Sequence, residues 1–251
     1  MTSGILCLLD RERRVLNPRS SHAEIIVEGG TDGTDRFVAF CRVSEDCLDD
    51  LIHQQKARAE RFGYSLEWKV YGHDDPPDLA QRLIAAGFEP DPVEQVVALK
   101  LGQHALEGFP STTNAVIKRI EDAGGLEAVV EISRDIGRDN VERERARLKA
   151  AVEDDPESMS IYVAYVRGEP ASCGRLHVGK ASGLGELCGG RTKTKFRNQG
   201  LYLALVRARL VEAIQRELPY VTVDALPTSE PLLLKRGFKK VTWTQPFIYE
   251  P

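Results

Sequence analysis

Apolar side chains fall along this chain in short runs of two kinds. Residues 36–43 form a brief apolar run that reads as a strand. Leu48, Leu51, Ile52, Gln55, Ala59 and Phe62 then recur at helical spacing, with Ser44 placed to cap the helix and Gly63 to stop it. A strand at 65–71 follows. Next comes a helix entered through Asp75, Pro76 and Pro77, carrying Leu79, Leu83 and Ile84 and closed by Gly87 and Phe88; a strand at 95–101 ends this part. Residues 102–113 are small and polar and read as a connector.

Beyond the connector the alternation is fuller. Strands are predicted at 115–120 and 160–166, helices at 126–136 and 141–152, the second with Val141, Arg145, Leu148 and Val152 on one face. Arg167, Gly168, Glu169 and Pro170 make a hairpin turn into strands at 172–178 and 184–191. A long helix at 200–217 carries a stripe of Leu203, Val206, Leu210, Ala213 and Ile214. A strand at 220–225, a short helix at 230–236, a Gly237-Phe238 turn and a strand at 240–249 complete the order. Residues 68–101 and 221–249 follow one scheme: strand, short helix entered beside proline, Gly-Phe, strand. That internal repeat predicts two copies of one α/β fold, cut at 105/106 into halves 1–105 and 106–251.

Composition narrows the function classes. Hydrophobic residues at 42% and charged residues at 29% suit a globular chain with a substantial core. A formal net charge of -4 argues against nucleic acid as a partner, since that binding needs a large positive footprint. No apolar run approaches the ~20 residues of a membrane span, and the first ten residues have no basic region ahead of their apolar stretch, which argues against a signal peptide. The five cysteines form no C-x-x-C pair and the five histidines show no metal-ligand spacing, so reduced thiols, a cytoplasmic setting and no metal are expected. Self-association is compatible with the sequence.

The chemistry concentrates at 189–202, Gly-Gly-Arg-Thr-Lys-Thr-Lys-Phe-Arg-Asn-Gln-Gly-Leu-Tyr. Here Arg197-x-x-Gly200 opens the long helix straight after a strand. The amides of Asn198, Gln199, Gly200, Leu201 and Tyr202 are therefore first-turn groups without helical partners, suited to a diphosphate. Gly200 allows close backbone approach, Arg197 adds a charge-assisted contact, and Arg191, Lys193 and Lys195 supply further positive charge. Residues from about 115 to 249 resemble a GNAT N-acetyltransferase domain, whose motif is R/Q-x-x-G-x-G/A. Arg197 and Gly200 match it. Tyr202 replaces the small last residue, as in a bacterial subgroup reading Gly-Gly…Arg-x-x-Gly-Ile-Tyr, and Lys193 and Thr194 replace a hydrophobic residue and a proline.

The resemblance implies acetyl-CoA as co-substrate and direct transfer of the acetyl group to an amine, with a small-molecule acceptor. It implies a mixed, mainly antiparallel sheet flanked by helices, complete in the C-terminal half. It further implies that the backbone of Arg191, Thr192 and Lys193 pairs with the pantetheine arm, and that the strands at 184–191 and 220–225 splay to admit it. An amide near Leu187 or Cys188 would receive the oxyanion. Glu186 is a candidate base or a solvated strand carboxylate; Asp224 a second candidate base or a turn residue; Ser229 a cofactor contact or a helix cap. Leu233 stands where the family's acidic tyrosine is usual, leaving Tyr202 or water to protonate the thiolate. The first half lacks the R-x-x-G and reads as a degenerate copy without cofactor. A retired GNAT that senses acyl-CoA without turnover is the alternative.

Overall fold

The computed structural model describes residues 2–12, 25–29, 36–41, 45–109, 114–179 and 182–251. The expected Ser44 cap and the end of the connector lie outside them. The chain divides into two compact units: Met1–Val97 with Asp224–Pro231 and Lys240–Pro251, and Ala98–Val223 with Leu232–Lys239.

The first unit runs α1 (Thr2–Asp10), β1 (Ile25–Gly29), β2 (Arg36–Cys41), α2 (Glu45–Phe62), β3 (Leu66–Tyr71), α3 (Leu79–Ala85), β4 (Glu89–Pro90) and the start of β5 (Glu94–Lys100). Strand β1 pairs antiparallel with β2, and β2 pairs parallel with β3. On α2 the buried positions are Leu48, Ile52, Gln55 and Ala59, the inward face of a 3.6-residue repeat. Phe62, expected on that stripe, is 58% exposed: the helix ends there, and Gly63 turns the chain away at φ 66°. Helix α3 also corrects its expectation. It starts at Leu79 after Asp78, not at the prolines, where the chain is still turning.

The second unit runs from the end of β5 through β6 (Val116–Arg119), α4 (Leu126–Asp135), α5 (Val141–Asp154), β7 (Met159–Val166), β8 (Glu169–Val178), β9 (Gly185–Thr192), α6 (Leu201–Gln215), β10 (Tyr220–Ala225, as far as Val223) and part of α7 (Glu230–Leu234). Its strand order is β6-β7-β8-β9-β10. All neighbours are antiparallel except β9 and β10, which are parallel. Arg167 and Gly168, at φ 51° and 83°, make the two-residue turn between β7 and β8. Its core gathers Leu126, Val129, Ile132, Leu148, Ile161 and Val163.

The last strand, β11 (Lys239–Tyr249), belongs from Lys240 onward to the first unit. It pairs antiparallel with β3, from Tyr71↔Thr244 to Leu66↔Tyr249, and with β4. Phe247 is 1% exposed in the core with Trp68, Leu83 and Phe88. The sequence repeat also has a structural counterpart. Gly87 and Gly237 take φ of 90° and 92°, and the Phe88 and Phe238 amides return to the carbonyls of Leu83 and Leu233. Each short helix thus ends on a left-handed glycine that drives the next phenylalanine inward.

Candidate active site

Three features of the second unit converge on residues 185–202. First, β9 pairs with β10 only at Gly185↔Val221 and Glu186↔Thr222. Beyond Glu186, β9 has no partner on that edge among the described pairings. Second, β9 bulges against β8: Cys188 faces Arg175 and Arg191 faces Cys173, so Gly189 and Gly190 together oppose Gly174. Gly189 sits at φ 60°, the left-handed conformation of a glycine bulge. Third, Asn198 and Gly200 are both left-handed, at φ 61° and 77°, and swing the chain into α6. The first helical bond there is Ala204 N–H to Gly200 O at 3.0 Å, so the amides of Leu201, Tyr202 and Leu203 lack helical partners. No acidic residue stands in that first turn, and a Cβ on Gly200 would meet nothing within 4 Å. The turn can therefore receive an anion against the N-terminal end of α6.

No protein-family model and no curated protein matches the chain. Solved structures do. A GCN5-related N-acetyltransferase from Kribbella flavida aligns at TM-score 0.64 and 17% identity, covering 100% of this chain and 94% of its own. A tandem GNAT protein from the clavulanic acid biosynthesis pathway aligns at 0.60 and 14%, covering 86% and 75%. A GCN5-related N-acetyltransferase from Sphaerobacter thermophilus aligns at 0.60 and 17%, covering 90% and 76%. The chain has the GNAT fold. The α/β class is as expected, and the alignment with a tandem protein agrees with two GNAT-like halves.

Within that GNAT fold, the basic side chains of the loop are placed differently from their expected role around a diphosphate. Arg191 turns inward: its Nη1 donates to Glu144 at 2.5 Å and to Ser133 at 2.6 Å, and its Nη2 donates to Glu144 at 2.7 Å. Lys193 is 3% exposed and bonds Glu131 and Glu169, while Lys195 bonds Glu169. Burial pulls the Lys193 ammonium down, but its two carboxylates outweigh that and leave it raised. Arg197 meets no carboxylate among the described residues; its Nε lies 3.4 Å from the Thr192 carbonyl. Among the described residues, carboxylates thus reach three of the four cations and leave Arg197 without one.

The backbone that would hold the pantetheine arm is partly engaged too. The Lys193 N–H donates to Ala171 O at 2.9 Å, toward β8. Strand alternation then turns the Thr192 backbone groups away from β8, toward the open edge. The Thr192 hydroxyl bonds Ser172 at 2.7 Å, and Gln199 donates to Lys195 O at 3.2 Å. Leu201 is buried, and Tyr202 is half-buried with its ring against the bulge: a Cβ on Gly190 would come within 3.2 Å of it. Glu186 is half-buried on β9 beside the last β10 pair.

Asp224 and Ser229 fall in the first unit. Asp224 accepts from Lys69 at 2.8 Å, and Ser229 donates to Leu226 O at 3.2 Å. Burial pushes the carboxyl of Glu94, also beside Lys69, up from its ordinary value. Leu233 is wholly buried. Burial likewise raises the Cys188 thiol and takes Cys173 to about 11, so neither is a nucleophile.

Sequence reasoning missed the polar cluster beneath the bulge. Glu144 on α5 joins Arg175 of β8, at 2.9 Å, to Arg191 of β9. Burial raises the Glu144 carboxyl, yet the two guanidiniums overrule it and hold it at about 2. From the opposite side Arg209 of α6, 1% exposed, donates to the carbonyls of Leu205 at 3.0 Å, Arg175 at 2.9 Å and Cys188 at 3.5 Å. The available signal was the charged positions interrupting the apolar stripes of α5 and α6.

Proposed function

We propose that this chain is a GNAT-type N-acyltransferase that moves an acetyl group from acetyl-CoA to an amine in a ternary complex. One observation carries the reading: an edge of β9 left open beyond Glu186, a glycine bulge on that strand, and a left-handed entry into α6 occur within 185–202. The open edge offers backbone groups to a pantetheine arm, and the α6 amides with Arg197 take the diphosphate. A bulge amide receives the oxyanion as the amine attacks the thioester. Glu186 removes the proton from the amine, directly or through water.

The buried Leu233 has no proton to give, so the CoA thiolate leaves unassisted or takes a proton from Tyr202 or water; a free thiol pKa of ~8.5 permits this. In this reading the half at 106–251 binds the CoA, and the first half, without an Arg-x-x-Gly turn, does not. The acceptor is a small amine. Among the described residues no helix is long and apolar enough to cross a membrane. Reduced cysteines fit the cytoplasm.

Calorimetry tests the binding: one acetyl-CoA site per chain is expected, lost in Gly200→Glu, whose side chain places a carboxylate and a strained φ at the anion turn. Two sites, or unchanged binding in the variant, refute the assignment. A screen of polyamines, amino acids and aminoglycosides for thiol release then separates enzyme from sensor. Glu186→Gln is expected to lower kcat by roughly 10²-fold with acetyl-CoA affinity intact.

A further inference from the structure

The β9 bulge is gripped from both faces by guanidiniums, that of Arg209 buried and that of Arg175 half-buried. On one face Arg175 lies over Gly189, where a Cβ would come within 2.7 Å of its Cζ. On the other Arg209 lies over Gly174, where a Cβ would come within 2.8 Å of its Cζ. Both glycines therefore leave room for a guanidinium. Arg175 pairs with Glu144, which it shares with Arg191, but Arg209 meets no carboxylate among the described residues.

Burying a cation on carbonyls alone is costly, and an apolar side chain of similar volume would hold α6 to the sheet without that cost. What the guanidinium adds is geometry and field. It bridges the two strands of the bulge through Arg175 O and Cys188 O. The Cys188 carbonyl shares its peptide group with the Gly189 N–H, so donation to the carbonyl makes that N–H a stronger donor. Tyr202, two turns earlier on α6, packs its ring on Gly190 of the same bulge. One face of α6 thus supports the segment of β9 that lies on the open edge.

We propose that Arg209 is a positioning residue for acyl transfer. It sets the bulge and polarises the Cys188–Gly189 peptide, so that a bulge amide meets the thioester carbonyl of bound acetyl-CoA. This rests on the acyl-CoA reading above.

The test needs no acceptor. Acetyl-CoA carrying ¹³C at the thioester carbonyl is bound to the full-length protein, and its carbonyl stretch is read by infrared difference spectroscopy. In the wild type the band is expected to move to lower frequency on binding. Arg209→Met is expected to lose that shift while calorimetry with CoA still gives the wild-type affinity. Arg209→Gln, which keeps a planar donor but no charge, covers the case in which the methionine variant fails to fold, and the same loss is expected. A shift retained in either folded variant overturns the proposal. So does a wild-type band that stays at the free frequency although CoA binds, an outcome that leaves the acyl-CoA reading standing. Wild-type protein that binds no CoA overturns both.

Discussion

Glu144 shows how a single side chain is set by its surroundings. It is 9% exposed and holds two half-buried arginines, with its carboxyl lowered from 4.5 to about 2. A carboxyl depressed by folding adds stability above its unfolded value, and that stability drains away as pH falls through the folded value. The contribution is full above about pH 4.5 and is lost on the way down to about 2. Glu144→Gln leaves the guanidiniums without their counter-charge and is expected to cost about 3 kcal/mol at pH 7. Urea midpoints at pH 7 and pH 3 check this: the variant should lose less than the wild type between the two. An equal fall in both proteins removes Glu144 as the source. The Arg191 pairing could not be read locally, because its partner is 47 residues away and no spacing rule links an ion pair across that distance. Gly200 was legible, because the left-handed turn it makes is a property of its own backbone.

At the level of elements, periodicity placed most of the second unit. Strand β10 was expected at 220–225 and spans Tyr220–Ala225, and α4 and α5 differ from expectation only at their C-terminal ends. Helix α1 and strand β1 were not read, being short pieces without clear caps. Alternation tells which face of a strand is buried but not which strand lies beside it, so the pairing of β11 with β3 was invisible. That pairing has a measurable weight. Phe247 is 1% exposed against Trp68 and Phe88, and Phe247→Ala is expected to cost about 3–5 kcal/mol. The chain's two tryptophans, Trp68 and Trp243, both lie in the first unit, so their fluorescence follows its unfolding. An unchanged denaturation midpoint would show that β11 contributes little there.

For the molecule as a whole, the two units do not correspond to two consecutive stretches of chain. The first unit is built from three segments and the second from two. Cutting at 105/106 is therefore expected to damage both products. The piece 1–105 loses the strand beside β3 and bares its edge, and the piece 106–251 carries β11 without its partner. Each fragment expressed alone should be insoluble or unfolded by circular dichroism, and co-expression should recover soluble material. A fragment 106–251 that folds and binds acetyl-CoA on its own would refute this.

The returning strand also has a consequence in time. On the ribosome the first 97 residues emerge well before Asp224 and Lys240, which the same unit needs to close. At about 5–20 residues per second that interval is roughly 7–30 s, far longer than a hairpin or helix takes to form. Throughout it, β3 stands with an open edge in a nascent chain, so the first unit to be synthesised is the last to be completed.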